Sequence, residues 1–273
     1  MVPTGANCAA SRPRRRGPSV DFVELKVLND PKLKKPVFVE GLPGVGNVGK
    51  LAAEHLIDEL KATKFAELTS KDFPPQVFVT PNGTIKLVNN ELFYWRATNK
   101  NQRDLIILTG DYQGLSSQGQ YEIVDRVLTL LQKYGVKEIF TLGGYGLGRM
   151  VPKPGVLGAA TDATLVKQMK KQGVSFREDE PGGGIVGASG LFLGLGLQRG
   201  MGGVCLMGET SGYIVDPKSA QAVLEVLAKI LNVTIKFDRL ETKARDMDKI
   251  AQQLREMERK GSEKGHEELR YIG

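Results

Sequence analysis

The sequence has 273 residues, of which 41% are hydrophobic, 25% charged and 7% aromatic. That is the balance of a folded globular chain with room for one large domain or two small ones. The net charge is +7, but residues 1–20 hold Arg12, Arg14, Arg15 and Arg16 with no acid, which leaves 34 basic against 31 acidic residues elsewhere. The body therefore lacks the electrostatic footprint of a nucleic-acid binder, and the arginines read as a solvated basic tail.

After that tail, Pro36 to Glu40 reads as a short buried strand ended by Gly41-Leu42-Pro43-Gly44, and Gly49 to Lys61 as a helix. Residues 76–80, 84–88 and 91–96 read as three strands joined by Pro81-Asn82-Gly83 and Asn89-Asn90, an antiparallel meander. Asp104 to Gly110 is a buried strand, Gln118 to Tyr134 an amphipathic helix closed by Gly135, and Lys137 to Leu142 a strand running into Gly143-Gly144-Tyr145-Gly146. Ala159 to Gln172 has helical spacing with Gly173 as its stop, and Gly203 to Gly208 is strand-like. Pro217 to Leu231 is a helix with Asp216 as N-cap and Asn232 as stop.

Strands alternating with helices predict an α/β fold, a mixed but mostly parallel sheet with helices on both faces. The expected organisation is a basic tail over 1–20, an α/β core domain over 21–237, a protruding C-terminal amphipathic helix over 238–260 and a tail over 261–273. In that helix Leu240, Ala244, Met247, Ile250, Ala251, Leu254 and Met257 form one apolar stripe, about two and a half heptads long. The stripe fits equally a helix lying on its own domain and one packing against copies of itself, with Leu240, Met247, Ile250 and Leu254 as the interface.

Cys8 and Cys205 are too far apart in sequence to suggest a disulfide, and no apolar segment follows Met1, so a reducing cytoplasm and no membrane are expected. The longest uncharged stretch, Pro181 to Gln198, contains seven glycines and falls short of a membrane span.

Gly44-Val45-Gly46-Asn47-Val48-Gly49-Lys50-Leu51 is the segment most suggestive of chemistry. It follows a strand and opens a helix, where glycines let backbone amides approach a phosphate. A nucleotide- or phosphate-binding enzyme would use Gly44, Gly46, Gly49 and Lys50. Against this, Leu51 stands where a P-loop needs a hydroxyl for magnesium. Gly187-Ala188-Ser189-Gly190-Leu191 is one residue out of register for a nucleophile elbow. His55 and His266 make poor catalytic bases, and two Cys with two His at these spacings form no metal site.

Several loops in consistent order, each weak alone, make a specific set: Gly41 to Leu56, Gly110-Asp111-Tyr112-Gln113-Gly114, Thr141-Leu142-Gly143-Gly144-Tyr145, Gly187 to Leu191 and Gly208-Glu209-Thr210-Ser211-Gly212-Tyr213. The set resembles the proteasome assembly chaperone 2 family, in particular its archaeal PbaB-type members, over roughly residues 21–237. The resemblance implies a phosphorylase-like α/β domain without that enzyme's chemistry, no cofactor, self-association into a homo-oligomer, and ATP-independent docking on the 20S proteasome α subunits. It recasts the Gly44-to-Lys50 loop as structural. It also implies docking through a C-terminal hydrophobic–Tyr–any motif, here Leu269, Tyr271, Ile272 and Gly273, with the tyrosine one place further from the end than the motif has it.

Overall fold

Val37–Glu40 (β2) and Leu105–Gly110 (β7) are buried along their whole length. Such continuously buried strands are typical of a parallel sheet covered on both faces. The computed structural model describes residues 22–177, 183–247 and 249. In chain order its elements are β1 (Val23–Val27), β2, a 3₁₀ turn (Val45–Asn47), α1 (Val48–Leu60), β3 (Thr63–Ser70), β4 (Val77–Val79), β5 (Ile85–Leu87), β6 (Asn90–Trp95) and β7. There follow α2 (Ser117–Lys133), β8 (Glu138–Gly146), β9 (Val156–Ala160), α3 (Ala163–Lys171), α4 (Ala188–Gln198), β10 (Gly202–Thr210) and α5 (Pro217–Leu231). A last helical segment, α6, occupies 238–247.

Eight strands form one sheet in the order β1-β3-β6-β7-β2-β8-β10-β9. The four central strands, β7, β2, β8 and β10, are parallel, while β6 and β9 flank them antiparallel and β1 closes the far edge antiparallel to β3. Helices α1 and α5 cover one face, over Val37, Val39, Phe140, Leu142, Val204 and Leu206. Helices α2 and α4 cover the other, over Phe38, Ile106, Leu108, Ile139 and Cys205. The alternation of Val37, Phe38 and Val39 between the two cores is the period-two pleat of a strand buried on both sides.

The helix ends obey local chemistry. Ser116 caps α2 by accepting from the Gly119 amide, and Asp216 caps α5 by accepting from the Ser219 amide, with Pro217 in the first turn. Asn232 and Gly135 stop their helices in the left-handed region.

Two expectations need correction. The segment Ala159–Gln172 is not one helix: Val156–Ala160 is edge strand β9, and α3 starts only after Asp162, whose carboxylate accepts from the Thr164 and Leu165 amides. The three strands over 76–96 do not form one meander either. β4 and β5 make a separate two-stranded hairpin, and β6 leaves it to pair between β3 and β7. Ala188–Gln198 also becomes a helix, α4, which the glycine-rich sequence conceals.

Candidate functional site

β2 pairs with β8 only as far as Glu40 opposite Thr141, whereas β8 and β10 run on together to Gly146 and Thr210. From β2 the chain goes on toward the β1 edge, and from β8 toward the β9 edge, so the sheet splits at a topological switch point, where open α/β sheets form crevices. The 3₁₀ turn fills part of the vacated space. What remains is a cavity of about 310 Å³ between Leu42, Gly44 and Val45, Leu142-to-Gly146, Gly184-to-Val186, Ser189, Cys205 and Met207, with Gln113 on its wall.

Gln113 ties the sides of this crevice together. Its Nε2 donates to the Pro43 carbonyl at 2.7 Å and its Oε1 accepts from the Ala188 amide at 2.9 Å. Beneath, Glu40 is wholly buried, its carboxyl accepting from the Leu42 amide at 3.0 Å and from the Ser189 hydroxyl at 2.8 Å. Burial pushes this carboxyl up to about 7, against the opposing pull of the Ser189 and Leu42 hydrogen bonds. Thr141 and Cys205 lie beside it in register on the same face of the sheet. Burial, opposed by the Thr141 hydroxyl and assisted by the Glu40 charge, pushes the Cys205 thiol up to about 12, which makes it an inert core thiol rather than a nucleophile.

The Gly44–Lys50 loop has little of a phosphate cradle. A Cβ on Gly49 would lie 2.1 Å from the Leu142 carbonyl oxygen, and one on Gly41 would lie 2.2 Å from the Gly49 oxygen, so these glycines let α1 cross β8 and β2 at close range. Gly46 and Asn47 are left-handed turn residues, and Lys50 pairs with Glu54 at 3.6 Å. His55 does not face the crevice: its Nε2 lies 2.6 Å from the Lys236 carbonyl and its ring stacks on Phe237.

The expected interface stripe divides. Leu240 and Ala244 are buried in the chain's own body, with Leu240 in the core beneath α1 and α5. Met247 lines one pocket together with Ala244, Met150 and Val215. The described start of the helix thus packs on its own domain. Ile250 and Leu254 lie outside the described residues, as do Leu269, Tyr271, Ile272 and Gly273.

Sequence reasoning passed over the most exposed apolar element. In the β4–β5 hairpin Val77 is opposite Leu87 and Val79 opposite Ile85, so all four share one face, and Val79 and Ile85 are 73% and 71% exposed. Alternation of apolar residues on both arms was the available signal; the hairpin reads as half-buried until β6 is seen to leave it.

Comparison with known proteins decides the family. The sequence profile of the PAC2 family matches residues 38–255, from β2 past the start of α6. The chain belongs to the PAC2 family. An uncharacterized protein of Methanocaldococcus jannaschii, MJ1210, is 40% identical over 260 residues, 93% of this chain and 98% of its own. The crystal structure of Pyrococcus furiosus PbaB, described as an archaeal proteasome activator, has a TM-score of 0.82 at 44% identity, covering 86% of this chain and 99% of its own. That of Pyrococcus furiosus PbaA, an archaeal homolog of proteasome-assembly chaperone, has a TM-score of 0.71 at 27% identity, covering 92% and 100%. The mostly parallel sheet with helices on both faces is thus the PAC2 fold. No described helix is long and apolar enough to cross a membrane.

Proposed function

We propose that this PAC2 protein is a non-enzymatic, ATP-independent proteasome assembly chaperone or activator, working in the cytoplasm as a homo-oligomer that docks on the 20S α-ring through its C-terminal tails. The observation that carries the proposal is its 44% identity to an archaeal proteasome activator across 99% of that protein. Two features of the site favour binding over catalysis. Among the described residues Ser189 is hydrogen-bonded to the buried Glu40, with His55 engaged elsewhere, and the glycines of the α1 loop are largely accounted for by close packing.

Self-association draws support from the apolar face of the β4–β5 hairpin, which bears no charge and so fits its own copy without desolvating one. Several copies would present several tails, and linked weak contacts gain affinity through effective concentration. In each tail Leu269, Tyr271 and Ile272 supply an apolar anchor and Gly273 a carboxylate for a basic pocket between ring subunits.

The test is binding of the purified protein to 20S particles and to free α-rings, full-length against a form lacking residues 269–273. Binding lost with the tail is the expected result. Binding that survives truncation would place the contact on the folded body, and no binding by either form would overturn the partner.

A further inference from the structure

Helix α6 loses its cover as it advances. It begins beside the C-terminal half of α1, where Arg239 donates to Asp58 at 2.6 Å and Leu240 is buried in the core. One turn on, Ala244 is still buried, whereas Met247 is only half-buried. Both line a groove of about 180 Å³ with Asp216, Pro217 and Lys218 at the start of α5. Because α5 starts just past the C-terminal end of β10, α6 runs toward the end of the sheet where the crevice opens.

Much of the rest of that groove is apolar and open. Met150, Val151 and Pro152 come from the β8–β9 loop, and Ile214 and Val215 from the loop between β10 and α5. Met150 and Val215 are 43% and 38% exposed, so two adjoining loops leave large apolar side chains in water. The chain beyond Met247 carries a matching surface. Ile250, Ala251 and Leu254 follow Met247 at i+3, i+4 and i+7, the helical spacing of the face that holds Leu240, Ala244 and Met247. The residues between them, Asp248, Lys249, Gln252 and Gln253, are all polar. The match to the PAC2 profile runs to residue 255 and takes in this whole stretch, so the family pattern includes it.

We propose that residues 250–254 continue α6 and seat Ile250 and Leu254 on Met150, Val151, Ile214 and Val215, so that the helix closes a groove of its own chain. The stabilisation comes from taking these apolar side chains out of water. A second copy is the weaker occupant: Ile250 is tethered three residues from Met247, which already lines the groove, and so meets it at the high effective concentration of an intramolecular contact. The chain from 255 on then leaves the domain at the crevice end of the sheet. The direction this gives to the docking tail rests on the proteasome reading; the cover itself does not.

The test is cross-linking of the full-length protein carrying Met150→Cys and Leu254→Cys, with Cys8→Ser, by a short bismaleimide. Cys205 is 1% exposed and does not react. The expected result is a 150–254 link within one chain, in a product that migrates as a monomer under denaturing conditions. The two single-cysteine variants, co-expressed, should give no 150–254 link between chains. No link in the double variant, or a link between the co-expressed chains, would overturn the proposal. Thermal unfolding reads the same contact without cysteines. Ile250→Asp should lower the midpoint by about 4 °C or more at every protein concentration, and the exposed Lys249→Asp by much less. Equal shifts for the two, or a shift for Ile250→Asp confined to concentrations at which copies associate, would count against it as decisively.

Discussion

The Ser189 hydroxyl donates a 2.8 Å hydrogen bond to the Glu40 carboxyl across 149 positions of sequence. This contact fastens the first turn of α4 to the end of the central strand β2, and with Gln113 it sets the width of the crevice. A carboxyl wholly shielded from water in such a place makes the stability of the fold depend on pH.

Glu40 ordinarily titrates near 4.5 and in the folded protein near 7, so the folded state holds its proton more tightly than the unfolded chain. Below about pH 4.5 the group is protonated in both states and has no effect. As pH rises from there to about 7 the unfolded state ionises first, and folding loses about 3 kcal/mol by the time both are ionised. Cys205, the other titratable group beside it, stays protonated throughout this range. Glu40→Gln should remove this loss, leaving a protein more stable than the wild type at pH 8 and similar to it at pH 4.5. Urea unfolding at the two pH values measures the difference; equal pH slopes for the two proteins would show that Glu40 is not the source.

The glycines offer a sharper contrast. Gly49→Ala would ordinarily strengthen a helix, but here the added methyl meets the Leu142 carbonyl at 2.1 Å. Backbone cannot yield as a side chain does, and the variant should lose about 3 kcal/mol or fail to fold. Gly143→Ala, with only Met207 Cγ at 4.0 Å, should stay within about 1 kcal/mol of the wild type. Thermal unfolding of the pair separates a glycine that packing demands from one that it does not.

That contrast also explains what could and could not be read from the chain. β2, α1, α2, β8 and α5 were legible because their signals are local: Asp216-Pro217 opens a helix, Gly135 and Asn232 close two, and continuous apolar runs mark central strands. α4 was hidden because its sequence, with Gly190, Gly194 and Gly196, argues against a helix by propensity. Tertiary packing overrides that, since a Cβ on Gly190 would strike the Ile185 oxygen at 2.2 Å and one on Gly196 would strike Ile139 at 2.7 Å. The β9–α3 boundary was misplaced although Asp162 is a strong N-cap, because Ala159 and Ala160 continue a helical spacing into the strand. Glu40 was seen only as the end of a strand; its partner Ser189 is not a sequence neighbour.

The β4–β5 hairpin bears on the proposed oligomer. Val79→Glu and Ile85→Glu change side chains that are mostly exposed, so the stability of the fold should shift by no more than about 0.5 kcal/mol. If this face joins copies of the chain, the double variant should sediment as a smaller species than the wild type at the same concentration. Unchanged sedimentation would exclude the hairpin from the contact and leave self-association to other surfaces.

Leu240 separates two roles for the stripe of α6. It is only 1% exposed, in the core beneath α1 and α5, and the same helix is held by Arg239 donating to Asp58 at 2.6 Å. The exposed ion pair contributes little, so burial of Leu240 and Ala244 must supply most of the attachment. Leu240→Ala should therefore destabilise the fold by about 2–5 kcal/mol, the usual loss for a truncated core leucine. Its unfolding midpoint should not depend on protein concentration beyond whatever dependence the wild type shows. A residue needed only between copies behaves oppositely, leaving stability intact at low concentration and lowering it only where the oligomer forms. Denaturant unfolding across a hundredfold range of concentration distinguishes the two. A purely concentration-dependent effect would move Leu240 from the core of one chain to the seam between several.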